Sequence, residues 1–549
     1  MDKLYRSKLL SSLIPLLIGT FIFWQLIGFS VLNPQNVAWL NKGKNSDMLQ
    51  NYVGWHFFQN DVWRFPLGDN PNWGIDISNS IVYSDSIPLF AIFFKIFVVF
   101  LPETFQYFGF WLLCCFCFQA LFAWKILSLY TKDVLILSLA TVLIVFSPIM
   151  LFRVNMHLAL TGHFLILASI YLYLKPSNSF TNLHWSILFS ISTLIHAYYV
   201  AMIFPIYLAS LVKTSRTAIT RRDLIANLLQ SLLCIFVAAF LSGYFVSATG
   251  ETSGPEYGIF RWNLAGPLYP SGWSYFTQTL LPGRGNDEGF SYLGMGVLLL
   301  ILIVFLQNLQ NLKKHLILIA RHNYLFISIT ILMLFALSNN IAIGNYRLRV
   351  ELPDNVIDVF SYFRSSGRMI WPVLYLGLIF LLVTIIRNSG RKFLISILVI
   401  CACLQIIDLS NGWRDINFRN SEARASINIY SSKWMDLRKH YDHIRVIPDS
   451  NFYQNAIFIG ELASSLSMKT NAVYLARLDM REVQRSANKT MNEILFGNVD
   501  DKTLFVLLDN QLQKLQSTLT SHGLEVHTLD GLNIVVRTNS IGDEILRSA

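Results

Sequence analysis

Apolar runs long enough to enter a bilayer recur from Leu9 to Ile407, and the charge between them is gathered into short basic segments. Crossing the hydrocarbon core takes about 20 apolar residues. This pattern commits the chain to a membrane bundle before any motif is weighed. Composition agrees: 54% of residues are hydrophobic, 14% are charged and the mean hydropathy is +0.46, whereas a soluble protein carries about 25% charged residues. At 549 residues, one helical bundle plus one modest soluble domain accounts for the length.

The expected spans are Leu9 to Val31, Phe105 to Leu127, Val134 to Phe152, Phe164 to Leu174, Leu228 to Val246, Leu293 to Leu306, Tyr324 to Leu337, Met369 to Ile386 and Phe393 to Ile407, with two more from Trp185 to Val212. That last run is too long for one ordinary span and contains His196 and Pro205, so it is split around His196 to Tyr199. Ile87 to Leu101 is short, has Lys95 at its centre and opens with Pro88; it is read as an interfacial or re-entrant helix. The result is about eleven transmembrane helices. If Ile87 to Leu101 spans instead and Trp185 to Val212 is one tilted helix, the count is unchanged.

The positive-inside rule chooses between the two topologies. Lys3, Arg6 and Lys8 place the N-terminus in the cytoplasm, and Lys213, Arg216, Arg221, Arg222, Lys313, Lys314, Arg321, Arg387, Arg391 and Lys392 mark later cytoplasmic loops. With Ile87 to Leu101 interfacial, Lys125, Lys132 and Lys175 lie inside as well. Arg153, His157 and His163 then share the outer face with a large first loop, residues 32–104, and with everything after Asp408. The N-terminal run lacks a small-residue cleavage site and is expected to remain as the first helix.

The net charge of +10 therefore reports topology and gives no nucleic-acid footprint. Cys114, Cys115, Cys117, Cys234, Cys401 and Cys403 all lie inside apolar runs, which indicates neither a disulfide framework nor a zinc site. From about Leu409 the apolar runs shorten and charge rises. Strand-like IRVI, LFVLL, LEVH and LNIVVR alternate with helical stretches such as Asn510 to Ser521, so residues 409–549 are expected to form a small extracytoplasmic α/β domain after a membrane domain of residues 1–408.

Candidate chemistry concentrates in four places. In the first loop, Asp47 follows the first span closely and is placed to accept a proton from a hydroxyl; a helix cap or a solvated loop aspartate is the plainer alternative. Asp85 is the reserve catalytic carboxylate, and a helix N-cap before Pro88 explains it equally well. His56, Asp61, Arg64 and Asp69 suit a surface ion-pair network, and His56 is also kept as a substrate-binding candidate. In the second place, Ser147 to His163, Arg153 and His157 share a helical face and His163 begins the next helix; ionisable groups at membrane depth are expensive unless they serve a partner or a cavity. The third, Phe363 to Pro372, sets Arg364 and Arg368 around Ser365, Ser366 and Gly367, a combination suited to a phosphate, or to lipid headgroups. The fourth, the loop before EGFSYLGMG, carries Glu256, Arg261, Trp273, Arg284, Asp287 and Glu288, with Glu288 a substrate-binding candidate. No metal-ligand spacing, Walker A, GxSxG or GxGxxG motif is present, so a soluble nucleotide donor is not indicated.

The early Asp in a large loop after one span, the interfacial helix entered by Pro88-Leu89 and the Ser-Pro turn leading to Arg153 resemble the GT-C superfamily of integral-membrane glycosyltransferases. The strings WRFPLGDNP, FQYFGFWLL, EGFSYLGMGVLLL and FRSSGRMIWP resemble an uncharacterised family of bacterial polytopic membrane proteins grouped with it. The resemblance implies transfer of a sugar from a polyprenyl-phosphate carrier to an envelope glycan or lipid acceptor, at the outer face of the bacterial inner membrane. It maps the superfamily's first-loop acidic residue onto Asp47. Where a second-loop carboxylate is common, this chain has Arg153 and His157. A divalent metal is compatible with the superfamily, but no residue pattern here supports one. Two other classes remain open: a transporter or flippase of a lipid-linked saccharide, and a non-catalytic glycan-assembly factor.

Overall fold

The computed structural model describes residues 2–42, 47–175, 182–215, 220–246, 257–279, 285–308, 322–419, 430–447, 452–475 and 479–548. Glu256, Arg284, Arg216, Lys313, Lys314 and Arg321, named above, lie outside the described residues. The chain folds as two compact units: residues 1–33, 107–238 and 255–421 form the first, and residues 34–106, 239–254 and 422–549 the second.

The first unit is mainly helical, with one antiparallel hairpin of Asn340–Ile343 (β1) and Tyr346–Arg349 (β2). Phe108–Leu127, Ala197–Thr214, Arg221–Ser242 and Ser366–Asn388 are long and apolar enough to cross a membrane, the third running on into the second unit, so the chain is a membrane-associated protein. The expected eleven spans are not supported. Val134–Val145 and Asn323–Leu337 are helices of 12 and 15 residues, and at 1.5 Å per residue such helices fall short of a core about 30 Å thick. The run expected from Val134 to Phe152 is cut at Phe146 because Pro148 opens a separate four-residue helix. Arg391–Asp408 has 18 residues but carries charge at both ends.

Two expectations about helix breaks agree with the fold. Trp185 to Val212 forms two helices, Asn182–Ile195 and Ala197–Ser215. His196 lies between them, and its Nδ1 accepts the Tyr198 N–H at 3.2 Å, serving a donor that the new helix leaves unpaired. Ile87 to Leu101 yields a nine-residue helix, Pro88–Ile96, and a 3-10 turn, Val98–Phe100. Nine residues extend only about 14 Å. Asp85 does not cap this helix: the N-cap is Ile87, in the left-handed region at φ 52 and without a side-chain cap bond.

The second unit joins the first-loop segment to the C-terminal region. Strands His443–Val446 (β3), Lys469–Thr470 (β4), Thr503–Leu507 (β5), Leu524–Leu529 (β6) and Leu532–Arg537 (β7) form a mixed sheet in the order β4-β3-β5-β7-β6. All four strand-like runs named from sequence are strands. Phe505, Leu507 and Val535 face Ile494, Leu515 and Leu519 in an apolar core.

Residues 72–78 extend the β4 edge. Gly74 N and Ile75 N donate to Thr470 O at 2.8 and 3.0 Å, and Trp73 Nε1 donates to Ala472 O at 2.8 Å. Beside them Asp76 pairs with Arg445 (2.8 Å) and Lys489 (2.9 Å). Burial opposes its ionisation, but these two cations prevail and its carboxyl lies below the usual range. Ser78 is fastened to Glu482 through both its backbone N–H and its hydroxyl.

His56, on the buried helix Asp47–Asn60, has its Nδ1 2.6 Å from Ser464 Oγ. Burial lowers its pKa from 6.5 to about 4, against partial opposition from the Glu103 carbonyl and charge. The unfolded chain therefore gains a proton at a pH where the fold refuses it. His56 should contribute stability above pH 6.5 that is lost as the pH falls to about 4, up to about 3 kcal/mol. Thermal unfolding of wild type and His56→Gln across this range checks it: the wild-type loss should exceed that of the variant, and parallel curves would contradict the assignment.

Candidate functional site

The site in the first unit starts at a forced turn. The helix Val134–Val145 stops before Ser147-Pro148, and the chain folds through Arg153 to the 3-10 segment Leu158–Thr161 before the helix Phe164–Leu174 begins. Arg153 is 1% exposed. Its Nη1 donates to Glu288 Oε2 at 2.9 Å, and its Nη2 donates to the carbonyls of Asp287 and Glu288 at 3.1 and 2.9 Å. Arg368, on the segment Ser366–Ile370, donates its Nε to the same Oε2 at 2.7 Å. The other carboxylate oxygen, Oε1, faces His157 Nε2 at 3.4 Å.

Two glycines make this convergence sterically feasible. A Cβ at Gly367 would sit 2.7 Å from the Gly289 α-carbon and 2.8 Å from the Arg261 carbonyl carbon; one at Gly289 would sit 2.5 Å from Arg261 O. Both are tighter than nonbonded atoms tolerate. The backbones of the two loops therefore touch directly, and Glu288 and Arg368, each next to its glycine, are brought within reach. The Glu288 loop is held at its far side by Asp408. This fully buried residue ends the helix Arg391–Asp408 and accepts from Tyr292 Oη (2.7 Å), from Met295 N (2.9 Å) and from Ser274 Oγ.

Aromatic rings line the cations. The Arg153 guanidinium lies 5.2 Å from the Trp371 ring and 5.3 Å from that of Phe152, and the Arg368 guanidinium 4.7 Å from that of Tyr198. Tyr198 Oη in turn accepts the Ser365 N–H at 2.8 Å. Sequence reasoning misses these rings, whose signals are positional only: Trp371 precedes Pro372, and Tyr198 follows the helix break at His196.

Burial opposes ionisation of Glu288, but Arg368, Arg153 and His157 hold its carboxyl well below the ordinary carboxylate range. Such a group is a weak proton acceptor and a strong anchor for guanidinium. Two guanidiniums thus converge on one carboxylate oxygen. Two guanidiniums gathered in one place have the donor chemistry to meet an anion.

The structure thus brings together Arg153, His157, Glu288 and Arg368. His163 lies behind them, fully buried, with Nδ1 2.9 Å from Tyr375 Oη and its ring 4.3 Å from that of Trp371, a packing position rather than a substrate-facing one. Arg364 is half-buried on the same loop as Arg368 but outside the Glu288 cluster. Asp47, His56 and Asp85 belong to the second unit. Asp47 is the first residue of the helix Asp47–Asn60 and is 8% exposed. Asn51, one turn on, donates to Ser84 O at 2.9 Å, tying this helix to the segment that carries Asp85. His56 is buried against Ser464, which removes it from the surface ion-pair role; Asp61 and Arg64 do pair, at 2.9 Å. Among the described residues, Glu525, His527 and Asp543 have ligand atoms close enough for a metal ion. Arg547 already bonds both Asp543 and Glu525, so a guanidinium occupies the cation's place there.

Removing the shared carboxylate leaves two buried guanidiniums facing a neutral amide. Glu288→Gln should therefore cost about 3–5 kcal/mol and lower the melting temperature in detergent. The loss should shrink when Arg368→Gln is already present; additive losses would show that the two residues do not act on each other.

Residues 16–410 match the family model described as Domain of unknown function (DUF6311), and residues 433–537 match the DUF6311 C-terminal domain. No curated protein and no solved structure matches the chain. The boundary between the two family models falls between residues 410 and 433, whereas in space residues 34–106 group with the C-terminal region. With the first model covering well over half of its length, the chain belongs to the DUF6311 family.

Proposed function

We propose that the chain is a GT-C type glycosyltransferase of the bacterial inner membrane that moves a sugar from a polyprenyl-phosphate carrier to an envelope glycan or lipid. In this reading the N-terminus is cytoplasmic, the chain is multi-pass, and the first loop and the C-terminal domain are extracytoplasmic. The observation that carries it is the sharing of Glu288 by Arg153 and Arg368, which gathers two guanidiniums at the start of the long apolar helix Ser366–Asn388. A lipid-linked phosphate has the matching chemistry: a charged head for the arginines and a tail for the membrane.

Transfer forms a bond from the acceptor hydroxyl oxygen to the anomeric carbon. The bond from that carbon to the carrier phosphate breaks, and its electron pair passes to the phosphate. Arg153 and Arg368 stabilise the departing phosphate, help of a kind that contributes several kcal/mol at such sites. The acceptor proton passes to a base. Glu288 is unsuited to that role because three cationic or protonatable groups hold it ionised; its part is to position the arginines. Asp47 is assigned as the base, on the strength of the superfamily resemblance and its place at the start of a buried helix.

The test is sugar transfer from a synthetic polyprenyl-phosphate donor by full-length protein in detergent. Asp47→Asn should lose about 10²–10⁴-fold in rate with an unchanged melting temperature. Wild-type transfer by this variant would remove Asp47 from the mechanism. Movement of the carrier-linked sugar across vesicles without transfer would assign a transporter instead.

A further inference from the structure

The second unit exposes an apolar surface where a water-facing domain would carry charge. Its members come from two segments: Val62, Trp63 and Phe65 in a loop of the first-loop region, and Phe93, Ile96, Phe97, Val99 and Phe100 on and after the helix Pro88–Ile96. Val99 and Phe100 are 88% and 85% exposed, and Phe65 is 69% exposed. The charge in these segments is paired or turned inward: Arg64, within the loop, is bonded to Asp61 at 2.9 Å. Lys95, the one charged residue of that helix, is turned inward and 1% exposed.

The two segments form one surface because Lys95 holds them together. Its Nζ lies 3.8 Å from the Phe58 ring centroid and 5.0 Å from that of Trp63, and it donates to Val62 O at 3.4 Å. Phe65 is also joined, within this unit, to the end of an apolar helix. Phe65 meets Phe240 edge-on, with ring centroids 5.6 Å apart, and Phe240 lies on Arg221–Ser242. That helix is 22 residues long and only 11% of its most apolar stretch is buried, so most of its side is left for lipid. At the other end, the chain passes from Phe100 to the spanning helix Phe108–Leu127 within a few residues.

We infer that the Val62–Phe65 loop and the Phe93–Phe100 segment are seated in the boundary between headgroups and acyl chains of the bilayer, so that the unit bearing the C-terminal sheet rests on lipid through its own apolar face. Aromatic side chains favour this boundary, and an amphipathic element there buries its apolar side by roughly 5–10 Å. The inward Lys95 fits the same geometry, since a cation on the outer side of this helix would be drawn into the acyl layer. The inference is independent of the proposed transferase activity.

The test uses full-length protein in lipid nanodiscs made with ordinary or acyl-chain-brominated phosphatidylcholine. Trp63 emission is obtained as the difference between wild type and Trp63→Phe, and a second reporter as the difference between Val99→Trp and wild type. Val99 is exposed enough for the added ring to leave the fold intact. Brominated lipid should remove most of both difference signals, while aqueous iodide leaves them nearly unchanged. Quenching by iodide and not by bromine would place this face in water. Protection from both quenchers would mean that protein covers it. Either result overturns the inference.

Discussion

One carboxylate shared by two arginines fixes the described end of the membrane bundle. Glu288 Oε2 accepts from Arg153 at 2.9 Å and from Arg368 at 2.7 Å, and the partners lie 135 and 80 residues away in sequence. Arg153 is almost wholly buried. Without Glu288 its charge would have no countercharge in the cluster, and burying a charge unpaired is among the costliest events in a fold. The turn after Pro148, the loop before Met295 and the segment before Trp371 are therefore interdependent. Gly289 and Gly367 supply the backbone contact that makes the ion pairs geometrically attainable.

The same cluster carries the functional argument. Two guanidiniums meet on one carboxylate, the rings of Trp371, Phe152 and Tyr198 lie beside the cations, and Glu288 is too strongly ionised to serve as a base. Together these favour recognition of an anion over proton transfer at that spot. In the proposed transfer the base is therefore a different group, the role that the proposal gives to Asp47. The second unit contributes a different constraint. Because residues 72–78 pair with the β4 edge and Asp76 is clasped by Arg445 and Lys489, the first-loop segment and the C-terminal sheet fold as one body.

Much of this is legible in the sequence because local chemistry dictates it. The apolar runs announce a membrane protein, the break at His196 follows from an overlong run, and alternating apolar residues mark the C-terminal strands. Arg153, His157, Glu288 and Arg368 stand out as charge beside apolar helices. Their mutual pairing is not legible, since it joins loops far apart in the chain through two glycines whose role emerges only when the backbones meet. Nor is the span count, because Pro148 and the ends of several short helices divide runs that look continuous by composition. The composite second unit is hidden for a similar reason: Trp73 and Ala472 are 399 residues apart, and no local signal in either segment names the other.

The central claim is that the Arg153–Glu288–Arg368 cluster holds the phosphate of a lipid-linked carrier. Binding of polyprenyl phosphate to full-length protein in nanodiscs, measured by native mass spectrometry against a polyprenol lacking the phosphate, tests it most directly. The account predicts that wild type and Asp47→Asn retain the phosphorylated lipid in preference to the alcohol and that Arg368→Gln loses this preference. Equal retention of both lipids by wild type, or an undiminished preference in Arg368→Gln, would contradict it.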